Sequence, residues 1–266
     1  MRNLVRSGGA PTVIGYHGVG RCDASRDPHG LVLPIEHFEM QMAFLAKHRT
    51  VVPLSVVVEG HVRSRKPAVA ITFDDGYRSV LEHAAPVLER YGFPAVCFVP
   101  TLWIGRSNEW DEFSSTDCSL EVMTEEELRR AESRGIRIES HAHTHKDLAG
   151  MTAKAAAKDL RLSAARLREV MGRPTRYLAY PYGTDCPSWL QVAAEDAGFE
   201  AAFTIRRQGL GPFARERVVI RRTDGRTLFA FKTSGRYLSV RHSRLTGAAF
   251  RAARPLATRL EIEVEP

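Results

Sequence analysis

Ala68-Val69-Ala70-Ile71-Thr72-Phe73-Asp74-Asp75-Gly76-Tyr77 runs from an apolar tract straight into two adjacent carboxylates and a glycine. The tract is short, almost wholly apolar and preceded by the breaker Lys66-Pro67, which reads as a buried strand. Two ionised carboxylates at the end of such a strand repel each other and lose hydration. A bound cation can offset the cost of one. A proton-accepting role accounts for the other, because neighbouring carboxylates take separate jobs when their environments differ. The same letters also satisfy an ordinary Asp-Gly turn that caps a helix.

Two later segments weigh on that choice. Glu139-Ser140-His141-Ala142-His143-Thr144-His145 follows the short apolar run Ile136-Arg137-Ile138. His141 and His145 are four apart, so one helical turn would point both imidazoles to the same side, and such a pair suits one divalent metal. His143 points elsewhere on that turn. Solvated loop histidines, or partners of the Asp pair, fit the spacing as well. Leu178-Ala179-Tyr180-Pro181-Tyr182-Gly183 closes a third apolar segment. Its proline removes a backbone donor and its glycine permits a tight bend. Together they can aim the Tyr182 N–H into a cleft as an oxyanion donor, or form a plain turn.

Taken together, Asp-Asp-Gly, His-x3-His and Pro-Tyr-Gly at three strand ends resemble the polysaccharide deacetylases of the NodB-homology type, carbohydrate esterase family 4. The resemblance runs from about Val13 to Phe231. It implies Asp74 as general base and Asp75, His141 and His145 as metal ligands, with zinc the usual ion and cobalt or other divalent ions as substitutes. It implies hydrolysis of N-acetyl groups on a polysaccharide, oligosaccharide or lipid-linked glycan, with release of acetate. Two departures stand out. Ala179 occupies the position where many members carry a base-orienting arginine, and no late apolar strand bears a histidine; His242 lies in the basic stretch Ser239-Val240-Arg241-His242-Ser243. The chain is similar instead to a circularly permuted branch of exopolysaccharide deacetylases. There the last strand moves to the N-terminus, here Thr12-Val13-Ile14-Gly15-Tyr16-His17. That makes His17 the general acid, against a turn histidine beside Gly18 and Gly20. Arg221 or Arg222, after Val218-Val219-Ile220, is the candidate for the missing arginine. A hydrolase of another small amide, and a non-catalytic glycan-binding protein on the same scaffold, are the rival readings; Ala179 and the absent late histidine motivate the second.

Composition agrees with one enzyme domain. The 266 residues are 44% hydrophobic and 26% charged, enough for a full core and ordinary for a soluble chain. No apolar run approaches a membrane span, and the start, Met1-Arg2-Asn3-Leu4-Val5-Arg6, lacks the apolar core of a secretory signal. Cys22, Cys97, Cys118 and Cys186 show no close spacing, so reduced thiols in the cytoplasm are the expectation.

Strands are expected at 12–16, 68–73, 95–99, 136–139, 177–180, 201–205 and 217–221, with helices at 35–47, 79–91, 124–134, 152–171 and 187–197. This alternation implies a parallel sheet. A distorted TIM-like (β/α)7 barrel over residues 1–235 is the expected α/β fold, and an open doubly wound sheet is its alternative. All three motifs and His17 fall at C-terminal strand ends, where barrel active sites lie. The long connection 100–123 carries Trp103, Trp110 and Phe113, read either as a glycan-binding lip or as rings that anchor the loop. Residues 236–266 form a basic tail in which Arg236, Arg241, Arg244, Arg251, Arg254 and Arg259 precede the first acid, Glu261. The tail can lie on an anionic membrane surface or be a solvated segment. No nucleic-acid motif accompanies the net charge of +7.

Overall fold

The computed structural model describes residues 10–22, 27, 30–110, 120–206 and 211–243. In chain order its strands are β1 Thr12–Tyr16, β2 Gly18–Val19, β3 Val32–Leu33, β4 Thr50–Val51, β5 Ala68–Phe73, β6 Ala95–Val99, β7 Ile136–Ser140, β8 Tyr177–Ala179, β9 Ala201–Thr204, β10 Arg215–Glu216 and β11 Val218–Val219. Its helices are α1 Ile35–His48, α2 Leu54–Val58, α3 Ala85–Tyr91, α4 Glu125–Ser133, α5 Ala153–Met171, α6 Ser188–Asp196, α7 Arg226–Lys232 and α8 Tyr237–His242.

The main sheet is parallel throughout, in the order β10-β9-β8-β7-β6-β5-β1-β11, with β4 added beside the start of β5. Its two ends are one piece of chain. Arg215–Glu216 pairs with β9, and two residues later Val218–Val219 pairs with β1. The Arg217 N–H reaches the Thr204 carbonyl at 2.8 Å and the Ile220 N–H the Gly15 carbonyl at 2.9 Å. The ring therefore closes through a single segment. Counting that segment once gives seven principal strands, a (β/α)7 barrel rather than an open doubly wound sheet. The strand expected at 217–221 begins two residues earlier and is interrupted at Arg217.

Period-2 alternation sorts each strand's side chains between two cores. Ile14, Val69, Ile71, Phe73, Cys97, Ile136 and Ile138 face the outer helices, where they meet Phe38, Met42 and Leu45 of α1. Val13, Ala70, Val96, Phe98, Tyr177, Ala179 and Phe203 fill the interior with Leu54 and Val57 of α2. Each large buried aliphatic or aromatic side chain contributes about 1.5–3 kcal/mol. The apolar spacing in 35–47 is thus the inward stripe of α1. The helix expected at 79–91 differs in form. A π-helical turn, Val80–Ala84, precedes α3. Pro86 lies at the start of α3, where its missing N–H costs least, and the widened turn before it relieves the ring's clash with the preceding carbonyls.

Cys97 and Cys186 are free and buried, but Cys22 is disulfide-bonded. That corrects the expectation of reduced thiols throughout; Cys118 lies outside the described residues. No described helix is long and apolar enough to cross a membrane. Of the basic tail, α8 packs on the body. Tyr237 and Leu238 meet the outer core, and Arg241 and His242 both reach Glu216, at 3.0 and 2.9 Å. Residues 244–266 lie outside the described set.

Thr124 opens α4 with a reciprocal capping box. Its hydroxyl accepts from the Glu127 N–H, and the Glu127 carboxylate accepts from the Thr124 N–H. Thr124→Ala is expected to cost about 1 kcal/mol, read as a lower urea midpoint at unchanged slope.

Candidate active site

Because every principal strand runs the same way, the segments after β1, β5, β7 and β8 emerge on one face. Alternation carries Ala70, Thr72 and then Asp74 to the inner side of β5. Asp74 is 6% exposed, and its backbone N–H is held by the Tyr16 carbonyl at 2.9 Å. Both carboxylate oxygens are gripped by Arg217, Nη1 to Oδ1 at 2.7 Å and Nη2 to Oδ2 at 2.8 Å. Arg217 Nη1 also donates to Thr72 Oγ1 at 3.0 Å, and the guanidinium lies 5.2 Å from the centre of the Phe98 ring. At 1% exposure Arg217 is buried inside the barrel.

Arg217 thus pairs with Asp74 where the sequence named Arg221 or Arg222, and neither of those fills that place. The Arg221 N–H caps the Asp224 carboxylate at 2.8 Å. Arg222 Nη1 lies 3.9 Å from Asp27. Sequence offered one signal: in Arg215-Glu216-Arg217-Val218-Val219, alternation must turn one of the charged residues toward the interior.

Beside this pair, Asp75 Oδ1 faces two imidazoles, His145 Nε2 at 3.1 Å and His141 Nε2 at 3.4 Å. All three residues are buried, and their three candidate ligand atoms lie within 4.8 Å of one another. For ligands bonded at about 2.1 Å, tetrahedral coordination separates neighbouring donor atoms by about 3.4 Å, so the spacing fits a divalent metal. The ring orientation fits too. His141 Nδ1 donates to the Ala179 carbonyl at 2.7 Å, which orients the ring with Nε2 toward Asp75, the nitrogen that a metal would take in place of a proton. Ala179 therefore contributes through its carbonyl.

The histidine pair converges by another route than the one its spacing suggested. Residues 141–145 form an irregular turn, in which Ala142 (φ 63°) and His145 (φ 58°) are left-handed. Asp75 (φ 67°) and Tyr182 (φ 57°) share that conformation. These four are all the described non-glycine residues with positive φ, and each sits in one of the three motifs. Such backbone costs of order 1–3 kcal/mol per residue and persists where surrounding structure over-determines it, typically at functional sites. Two glycines complete the turns. A Cβ on Gly76 (φ 68°) would meet the Val99 side chain at 3.0 Å, and one on Gly183 (φ 56°) would overlap Ile205 at 1.9 Å.

Burial alone would push the Asp74 carboxyl up, but Arg217, His141 and His17 outweigh it and hold the group below its usual range. Burial likewise opposes ionisation of Asp75, yet hydrogen bonds from His141 and His145 hold it well below. His17, half-buried after β1, is close enough to lower both carboxyls electrostatically.

The connection 100–123 is tied to the first motif. Tyr77 bridges Val122, the Met123 N–H reaches the Gly76 carbonyl at 2.9 Å, and Arg78 pairs with Glu121 and with Glu127. Trp103 Nε1 donates to the Thr144 carbonyl at 3.2 Å. Trp110 stacks on Tyr77, with its ring centre 4.4 Å from that of His145. These two tryptophans anchor the loop and wall the site; Phe113 lies outside the described residues. Tyr182, 51% exposed, brings its ring to 5.0 Å from His145 on the other side.

Removing one partner of the buried Asp74–Arg217 pair strands the other's charge. Arg217→Met should therefore destabilise the fold by about 3–5 kcal/mol. Adding Asp74→Asn to that variant should recover part of the loss, as a denaturation cycle of the four proteins would show.

Comparison with known proteins agrees with this geometry. The family profile described as polysaccharide deacetylase matches residues 61–202. YxkH of Bacillus subtilis (strain 168), whose name assigns it provisionally to the polysaccharide deacetylases, is 27% identical over 216 residues, 77% of this chain and 70% of that protein. Staphylococcus aureus proteins named poly-β-1,6-N-acetyl-D-glucosamine N-deacetylase are 27% identical over 158 residues, 55% of this chain; the matched region spans about half their length, 51% for strain MSSA476. Among solved structures, IcaB from Ammonifex degensii superposes with a TM-score of 0.71 at 24% identity, covering 85% of this chain and 98% of that one. The Streptococcus pyogenes deacetylase PplD, solved with acetate, gives 0.70 at 17% identity, covering 84% and 97%; both likenesses show the barrel. With the profile spanning more than half of its length, the chain belongs to the polysaccharide deacetylase family.

Proposed function

We propose that this chain is a metal-dependent hydrolase that removes N-acetyl groups from an N-acetylated glycan. The observation that carries the reading is the adjacency of two differently equipped carboxylates. Asp74 is clamped by Arg217, and the neighbouring Asp75 converges with His141 and His145. A divalent metal on Asp75, His141 and His145, zinc being the simplest fit to that donor set, would supply Lewis-acid polarisation and a more acidic bound water.

The chain's own groups divide the remaining work. Asp74, kept ionised and oriented by Arg217, takes the proton from the attacking water as a C–O bond forms at the acetyl carbon. The Tyr182 N–H, turned by its left-handed backbone, donates to the oxyanion that develops there. His17 gives a proton to the nitrogen as the C–N bond breaks, so acetate and a free amine leave. Arg217 supplies the base partner that Ala179 cannot, which removes one motive for reading the chain as a non-catalytic glycan binder. The names of the S. aureus relatives support poly-β-1,6-N-acetylglucosamine as the first glycan to test.

The site of action is part of the proposal. Cytoplasmic placement was expected from reduced thiols; the disulfide at Cys22 favours an oxidising compartment instead. Membrane contact through the basic tail has less charge at its disposal than the sequence suggested, because Arg241 is engaged by Glu216.

Acetate release from N-acetylglucosamine oligomers and from the β-1,6-linked polymer by zinc- or cobalt-loaded protein is the test. Asp74→Asn should lower kcat by roughly 10²–10⁴-fold at unchanged metal content. Asp75→Asn and His141→Ala should lower both. Full activity in Asp74→Asn would remove it as the base.

A further inference from the structure

α5 is an alanine-rich helix whose buried face includes Ala156, Leu160, Leu167 and Val170. Two polar residues four apart interrupt that face, Asp159 and Ser163, at 4% and 0% exposure. Burying a carboxylate is costly unless its oxygens are fully engaged. The Asp159 carboxylate accepts three hydrogen bonds, from the His143 N–H at 2.6 Å, the Thr144 N–H at 3.1 Å and the Thr144 hydroxyl at 2.6 Å. His143 and Thr144 are residues between His141 and His145. One helical turn along, Ser163 Oγ lies 2.6 Å from Ser140 Oγ, which accepts from the Ala142 N–H at 3.1 Å. α5 therefore grips the histidine turn at its start and in its middle.

The turn needs such support. Ala142 and His145 both adopt left-handed backbone, at about 1–2 kcal/mol each for an L-residue. A free loop would relax out of that shape and part the two imidazoles. We propose that Asp159 is a positioning residue that holds the His141–His145 turn in its ligating shape and so sets the affinity of the Asp75, His141 and His145 group for a divalent metal. This rests on the metal-site reading above. Asp159 touches neither metal nor substrate; it acts through the backbone of His143 and Thr144.

The test is a Co²⁺ titration of the full-length apo protein, followed by visible absorbance, alongside thermal melts without metal. In Asp159→Asn an amide NH₂ replaces one acceptor and faces donors. The expected result is a Co²⁺ Kd about 10-fold weaker or more, with an altered Co²⁺ spectrum. Leu160→Ala, a cavity variant on the same buried face, controls for helix stability: it should lower Tm while leaving Kd and spectrum at the wild-type values. Should Asp159→Asn not fold, Thr144→Val removes one of the three donors and should weaken Co²⁺ about threefold or more. Wild-type Kd in Asp159→Asn, or in Thr144→Val if that stands in, would overturn the proposal, as would an equal loss of affinity in Leu160→Ala. Failure of the wild-type protein to bind Co²⁺ would instead overturn the metal-site reading itself.

Discussion

The bidentate pair between Arg217 and Asp74 joins the closure of the barrel to its chemistry. Arg217 sits at the break between β10 and β11, where one segment leaves β9 and joins β1. Its backbone completes the ring and its side chain fills the interior beneath the site. Two charges taken from water contribute little net stability even when well paired. Their arrangement fixes something else, a carboxylate with one orientation and one charge state beside a second carboxylate free for other duty. A lysine could supply the charge but not the fork that holds both oxygens.

The second constraint is conformational. Parallel strands bring the three motifs to one face, but the side chains converge only because Asp75, Ala142, His145 and Tyr182 accept left-handed backbone. Each strained residue is held from outside its own turn. The loop before α4 clasps the first motif through Tyr77, Gly76 and Arg78, α5 holds the second, and Thr204 Oγ1 donates to the carbonyls of Gly183 and Thr184 after the third. Strain at the centre is thus balanced by ordinary hydrogen bonds one layer out.

Much of this was legible in the sequence because the motifs are local. Strand-then-turn patterns placed Asp74, Asp75 and His141 within two residues of their strand ends, with Tyr182 three and His145 five residues past theirs, and alternation of strands and helices implied the barrel. The two histidines of the His-x3-His spacing do converge with Asp75, but through an irregular turn and not a helical one. Arg217 was not legible, because the motifs point to an arginine at a strand end, whereas the partner comes from the break between two short strands, 143 residues away in sequence from Asp74. Asp159 was hidden inside a helix whose composition announces only packing. The Cys22 disulfide left no sign in the cysteine spacing.

Asp75, His141 and His145 are proposed to hold one divalent ion between them. Zinc K-edge X-ray absorption of the zinc-loaded protein tests this most directly. The expected spectrum has nitrogen and oxygen neighbours at about 2.0–2.1 Å, outer-shell scattering from two imidazoles and no sulfur. A sulfur shell near about 2.3 Å, or the absence of imidazole scattering, would place the ion elsewhere and contradict the account.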